Sequence, residues 1–231
     1  MKTKILTAFA IILTSFMGIQ AQSINNPDDF EEVSISLPAT VYLSTGSTSI
    51  RFEGDSEDIE KLETEIKNGK LNIRRKGNSK WGWSDDMDEI KIYISTPRLN
   101  SVNLSGSGTI KGESTFKTDN MRISLSGSGD IILEVESENI KVDLAGSGDI
   151  TLSGSAREAT AKVAGSGDID MKKIKVETMD ISIAGSGDIV AWVTGTLNCN
   201  ISGSGDVEYK GNPEKVNSKT MGSGSVEAIN N

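Results

Sequence analysis

With 231 residues, 24 of them basic and 33 acidic, the chain carries a formal charge of −9, a balance that disfavours nucleic acid and anionic membrane as partners. Histidine is absent, which excludes a Ser-His-Asp or Cys-His centre and His-based zinc or copper sites. The single cysteine, Cys199, leaves no disulfide framework within the chain.

Lys2 and Lys4 precede an apolar run from Ile5 to Ile19 that ends at Ala21, the pattern of a secretory signal peptide over residues 1–21. The run is shorter than the ~20 residues of a membrane span. The expectation is an exported product with no membrane span, in the periplasm or at the cell surface, starting at Gln22 with no cysteine nearby to carry a lipid. Removing the two lysines leaves 24 − 2 = 22 basic residues against 33 acidic ones, a charge of −11.

Residues 22–100 alternate like strands but without a fixed period. Val33, Ile35 and Leu37 alternate with polar neighbours, as do Val41 and Leu43, then Ile90, Ile92 and Ile94. Ser56 to Leu62 fits a short helical segment opened by Ser56 as N-cap, with Ile59 and Leu62 on one face. Asn68-Gly69 between Glu63–Lys67 and Lys70–Arg74 is a strong hairpin signal, because both residues tolerate positive φ. Asn78 to Asp88 reads as a polar loop carrying Trp81 and Trp83 beside Asp85, Asp86 and Asp88, and long loops are frequent carriers of binding residues. The whole region reads as a β-rich cap that covers the first coil of a solenoid, whose open end would expose unpaired backbone and apolar core.

Residues 101–231 repeat. Gly-Ser-Gly-Asp or a close variant begins at Gly106, Gly127, Gly146, Gly165, Gly185, Gly203 and Gly222, spaced by 18 to 21 residues. Two residues before the motif stand Leu104, Leu125, Leu144, Val163, Ile183, Ile201 and Thr220, and four before it Val102, Ile123, Val142, Ala161, Ile181, Cys199 and Ser218. After it come Ile110, Ile131, Ile150, Ile169, Ile189, Val207 and Val226. Apolar residues at every second position mean two short strands with one face buried, joined at a sharp glycine corner and followed by a looser return. One such coil cannot bury its own apolar face, so the coils stack in parallel. The fold expected is all-β, a right-handed parallel β-helix of about seven coils, roughly 30 Å long at ~4.8 Å per coil. The residue before each corner, Ser105, Ser126, Ala145, Ala164, Ala184 or Ser202, is small, which suggests that close approach of corners happens there.

Asp130, Asp149, Asp168, Asp188 and Asp206 stack at one corner. A catalytic carboxyl pair needs two unlike environments, and a uniform ladder supplies only one. The expected role is local: each Asp accepts hydrogen bonds from the N–H groups of its own turn. The remaining possibility is a hard cation such as Ca²⁺ held by Asp149, Asp168 and Asp188, with no other cofactor implied. A calcium-binding nonapeptide roll needs about half this period.

Cys199 falls in an interior column, where a thiol is inert. Trp192 aligns with the outward column of Glu134, Ser153, Lys172 and Lys210, with Val190 on the same face. An outward Trp among polar residues suits stacking on a sugar ring or anchoring a protein contact; covering the return segment or sitting in a self-association interface is the structural alternative. Asp180, Ser182, Asn198 and Asn200 make a grid of short polar side chains suited to glycan hydroxyls.

The Leu/Val/Ile-(Ser/Ala)-Gly-Ser-Gly-Asp-Ile ladder, preceded by Ile-Tyr-Ile-Ser-Thr-Pro-Arg-Leu at Ile92 to Leu99, resembles the auto-transporter adhesin family called the head GIN domain, over about residues 29 to 226. The resemblance implies an exported envelope protein with a right-handed β-helix and brings no catalytic residues. Three functions follow. The first is a non-enzymatic, adhesin-like envelope or surface protein presenting a β-helix face to a glycan or envelope protein. The others are a polysaccharide-acting enzyme, by analogy of fold, and a structural module that forms homo-oligomers through its last coil.

Overall fold

The computed structural model describes residues 20–24, 27–77 and 89–229. In chain order these form β1 (Gln20–Ile24), β2 (Glu32–Ser36), β3 (Thr40–Thr45), β4 (Ser49–Gly54), α1 (Ser56–Glu60), β5 (Leu62–Lys67), β6 (Lys70–Arg75), β7 (Lys91–Thr96) and β8 (Ser101–Gly106). The repeats follow as β9 (Thr109–Gly127), β10 (Asp130–Gly146), β11 (Asp149–Gly165), β12 (Ile169–Gly185), β13 (Ile189–Gly203), β14 (Val207–Lys210), β15 (Lys215–Gly222) and β16 (Val226–Ala228). Together they are an all-β solenoid of about seven turns.

Each coil lies in parallel on the next with equivalent residues paired. Ile131 pairs with Ile110 and Ile150, and Leu144 with Leu125 and Val163. The inward columns therefore stack like on like, and Ile110, Ile131, Ile150 and Ile189 are fully buried. The segments expected as loose returns are strand as well: β10 runs unbroken from one corner to the next and pairs Val135 with Gly154 and Glu136 with Ser155. Period-2 alternation falters there because the chain bends, yet backbone groups beside a neighbouring coil still pair. Differences in repeat length are absorbed as register shifts, for instance between Met171 and Lys175 of β12 against β13.

The corners approach through the glycines, not through the small residue before them. Ala145, Ala164 and Ala184 are exposed. At Gly165, φ is 139° and an added Cβ would lie 2.2 Å from the carbonyl oxygen of Gly146 one coil back. At Gly167, the second glycine of the same corner, the corresponding distance is 2.1 Å to Gly148 O. Both positions thus lack room for any side chain while the coils stay hydrogen-bonded.

The first part of the chain stacks on the same axis in an order its sequence does not follow. β2 lies in parallel between β6 and β8, and β3 in parallel between β7 and β9. Leu71, Val33 and Val102 share one interior column, and Ile92, Val41 and Ile110 another. At the outer side β4 pairs antiparallel with β7, and β5 with β6. The β5–β6 hairpin turns through Asn68 (φ 53°) and Gly69 (φ 76°), the conformation that Asn-Gly adopts most readily. The helix is capped by Asp55 and not by Ser56: the Asp55 carboxylate accepts the Glu57 N–H at 2.8 Å, leaving Ser56 as the first helical residue. β1 pairs antiparallel with β4, and cleavage after Ala21 would remove two of its five residues. At the opposite end β15 is exposed throughout, and Ser218 and Thr220 continue interior columns formed below them by Cys199 and Ile201.

Candidate functional site

The strand arm that follows each corner carries an outward face of three parallel columns. The central one runs Tyr93, Tyr42, Lys111, Ile132, Thr151, Asp170, Val190, Glu208, each paired to the next. These residues point outward because their neighbours along each strand, such as Ile189 and Ala191 beside Val190, fill the core. On the corner side stand Asp130, Asp149, Asp168, Asp188 and Asp206; on the other side stand Glu134, Ser153 and Lys173, then Trp192 and Lys210.

Trp192 is half-buried and belongs to this face, two residues beyond Val190. Its column differs from the expected one: the register shift in β12 removes Lys172, so that Lys175 and Lys210 flank the indole. The Lys210 ammonium sits 4.4 Å from the ring centroid, a cation–π contact. Gly211 (φ 108°) runs close to the pyrrole edge of the indole, where a Cβ would come within 2.6 Å of the Trp192 Cδ1. Lys172 turns instead to Asp170, forming an ion pair at 2.8 Å; that bond and charge hold its ammonium above the usual lysine range.

Val190 and the Asp column border one groove of about 320 Å³, lined by Asp168, Asp170, Asp188, Asp206 and Glu208. The aspartates do not close their own turns. Asp168 Oδ1 accepts the N–H of Asp188 at 2.8 Å, Asp188 Oδ1 that of Asp206 at 2.7 Å, and Asp206 Oδ1 that of Ser225 at 2.7 Å. Asp149 reaches Asp168 N at 3.3 Å. These four carboxylates each strap their coil to the following one, because the parallel stack brings the next corner's N–H within reach. Among the described residues no three acidic or cysteine side chains converge as metal ligands.

Asp180, Asn198 and Asn200 occupy the arm before the corner, away from Val190 and Trp192. Asn198 donates to Asp180 at 2.8 Å and accepts from Asn217 at 2.7 Å, so its amide is already engaged along the stack. Asn200 pairs in register with Ser182 and Lys219 and is exposed. Trp81 and Trp83 lie outside the described residues. Cys199 is buried in the column of Ile181, and desolvation pushes its thiol up to about 11.

Two features of the face escaped sequence reasoning. Tyr42 and Tyr93 stack at 5.0 Å with 14° between their planes, and Arg51 lies 3.9 Å over Tyr93 while pairing with Glu53. Burial raises the Tyr93 phenol, with the Glu53 bond and charge adding to it. Their outward alternation was visible, but their adjacency depends on β3 lying beside β7. Ile132 is 44% exposed, and Ile131-Ile132-Leu133, three apolar residues where alternation allows two, was its signal.

A family described as putative auto-transporter adhesin, head GIN domain, matches residues 29–213. The chain belongs to this family. Solved structures share its fold. A putative adhesin from Bacteroides fragilis superposes with a TM-score of 0.84 at 21% identity, covering 93% of this chain and 98% of that one. A putative lipid binding protein from Parabacteroides distasonis gives 0.74 at 27% identity over 93% and 98%. A putative adhesin from Parabacteroides merdae gives 0.72 at 21% over 93% and 97%. No functionally curated protein matches the chain. Among the described residues no helix is long and apolar enough to cross a membrane.

Proposed function

We propose that this head GIN domain is an exported, non-enzymatic, adhesin-like protein of the periplasm or cell surface that presents its outward face to a glycan or envelope-protein partner. The observation that supports this most is the pair Val190 and Trp192. They place an aliphatic and an aromatic side chain side by side on the outward face, next to the acidic groove. Large aromatic side chains flanked by polar groups are the usual anchors of recognition surfaces. Of the groove's carboxylates, Asp168, Asp188 and Asp206 accept backbone N–H groups of the next coil and act as fixed acceptors in a uniform row, while Asp170 is paired with Lys172. Such a row lacks the two unlike carboxyls that glycoside hydrolysis requires.

A glycan array probed with the native protein and Trp192→Ala tests the reading. Loss of about tenfold or more in affinity is expected for the variant, in line with removal of an interface Trp. Glycan binding that survives the substitution would remove Trp192 from the site. Release of reducing ends or unsaturated sugars from any bound polysaccharide would overturn the non-enzymatic reading.

A further inference from the structure

The central column spans far more of the solenoid than the Val190–Trp192 spot. Tyr42, Lys111, Ile132, Thr151, Asp170 and Val190 are consecutive partners on six neighbouring strands. At ~4.8 Å per step, five steps separate Tyr42 from Val190 by roughly 24 Å, with Tyr93 one step further out. Apolar surface recurs along this line: the stacked Tyr93–Tyr42 pair, the exposed Ile132, then Val190 with Trp192 beside it. Ile132 is not needed to fill the core, since Ile131 and Leu133 on either side do so.

Hydrogen-bonding groups border the line at the same repeat. The Asp column runs along one edge with every carboxylate from Asp149 to Asp206 bonded to the next coil, so the acceptors are held in place. Ser153, Lys173 and Lys210 on the other edge supply donors. Near Tyr42 the face widens into a groove of about 430 Å³ where Ser44, Ser49 and Ser95 add hydroxyls, and its charged residues, Arg51 and Glu113, are one of each sign. A volume in this range accommodates a small-molecule-sized unit of a ligand.

We propose that this column is a single axial track for a linear, neutral polysaccharide. The chain would lie along the solenoid axis, its ring faces against Tyr42, Ile132 and Val190–Trp192 in turn, and its hydroxyls bonded to the edges. The aspartate edge offers one fixed acceptor per coil, so a linear guest meets successive acceptors along its length. The acidic edge opposes an anionic polysaccharide, and the lysines of the other edge oppose a cationic peptide. The track rests on the adhesin-like reading above, and it names the ligand class and direction that the Val190–Trp192 spot alone leaves open.

The test uses the full chain against a panel of neutral polysaccharides and their fragments of increasing length, with alginate and polylysine as charged comparators. Longer fragments should bind about tenfold or more tightly than disaccharides, through added contacts along one face, and the binding should be insensitive to salt. Ile132→Ser alters an exposed side chain and leaves the core intact. It should weaken long fragments about tenfold while sparing short ones that reach only Trp192; Tyr42→Ala should do the same. Length-independent affinity, or loss with Trp192→Ala but not with Ile132→Ser, would overturn the track and leave the Val190–Trp192 site standing. Salt-sensitive binding to alginate or polylysine alone would also overturn it. Binding to none of the panel overturns the track together with the glycan half of the functional reading.

Discussion

Gly165→Ala tests whether the glycines, and not the residues before them, set the distance between coils. The new Cβ would lie 2.2 Å from Gly146 O, an oxygen that accepts the N–H groups of Ser166 at 2.9 Å and Gly167 at 3.1 Å. Relieving the contact therefore stretches two hydrogen bonds at a corner where the second glycine is equally crowded. Holding Ala at φ 139° costs about 1–3 kcal/mol, because this region is open almost only to glycine. Overpacking against a neighbouring backbone adds about 1–3 kcal/mol. The sum, about 2–6 kcal/mol, is a large fraction of the ~5–15 kcal/mol that holds a domain folded. For a chain of this size it corresponds to a fall in melting temperature of roughly 5–20 °C. Circular dichroism melts of Gly165→Ala and Ala164→Ser make the comparison. The second alters an exposed position in a column that elsewhere carries serine, and should melt within about 2 °C of the parent. Equal melting of Gly165→Ala and the parent would refute the steric argument.

Asp188→Ala removes the acceptor of the Asp206 N–H and should destabilise by about 1 kcal/mol, whereas Asp188→Asn keeps an acceptor and should fall between the two; urea midpoints distinguish the three. Added calcium should leave the melting temperature of the native protein unchanged, since Oδ1 of Asp149, Asp168, Asp188 and Asp206 already serves the backbone; a rise with calcium would restore the cation reading. Cys199 should resist iodoacetamide until the chain unfolds. Its thiol is raised from 9.0 to about 11 by desolvation, so the native state holds the proton after the unfolded state has lost it. The corresponding stability is complete below pH 9 and is lost as the pH rises towards about 11. Cys199→Val should abolish that part of the alkaline decline, and an unchanged pH profile would contradict it.

Much of the repeat region was legible because two periods are written into it. The spacing of Gly-Ser-Gly sets the coil, and alternation within each coil sets which residues turn inward, so the columns from Leu104 to Ile201 and from Ile110 to Val207 need no tertiary information. The hairpin at Asn68-Gly69 was equally local, since its backbone conformation belongs to those two residues. Reading failed where contact partners are remote. The aspartate bonds, the crowding at Gly165 and the displacement of Lys172 all depend on a neighbouring coil, and a column inferred by aligning corners slips wherever a bulge intervenes.

The same distinction governs the candidate site. Composition and pattern alone determined that Trp192 and Val190 face outward and that His-dependent chemistry is absent. Only the fold decided what stands beside them. Parallel stacking inserts β2 between β6 and β8 and β3 between β7 and β9, which joins Tyr42 to Tyr93 and aligns both with Ile132 and Val190 on one line. Alternation along a strand dictates the direction of a side chain, but the strand that lies alongside is chosen by burial of the whole apolar face, a property of the assembled stack.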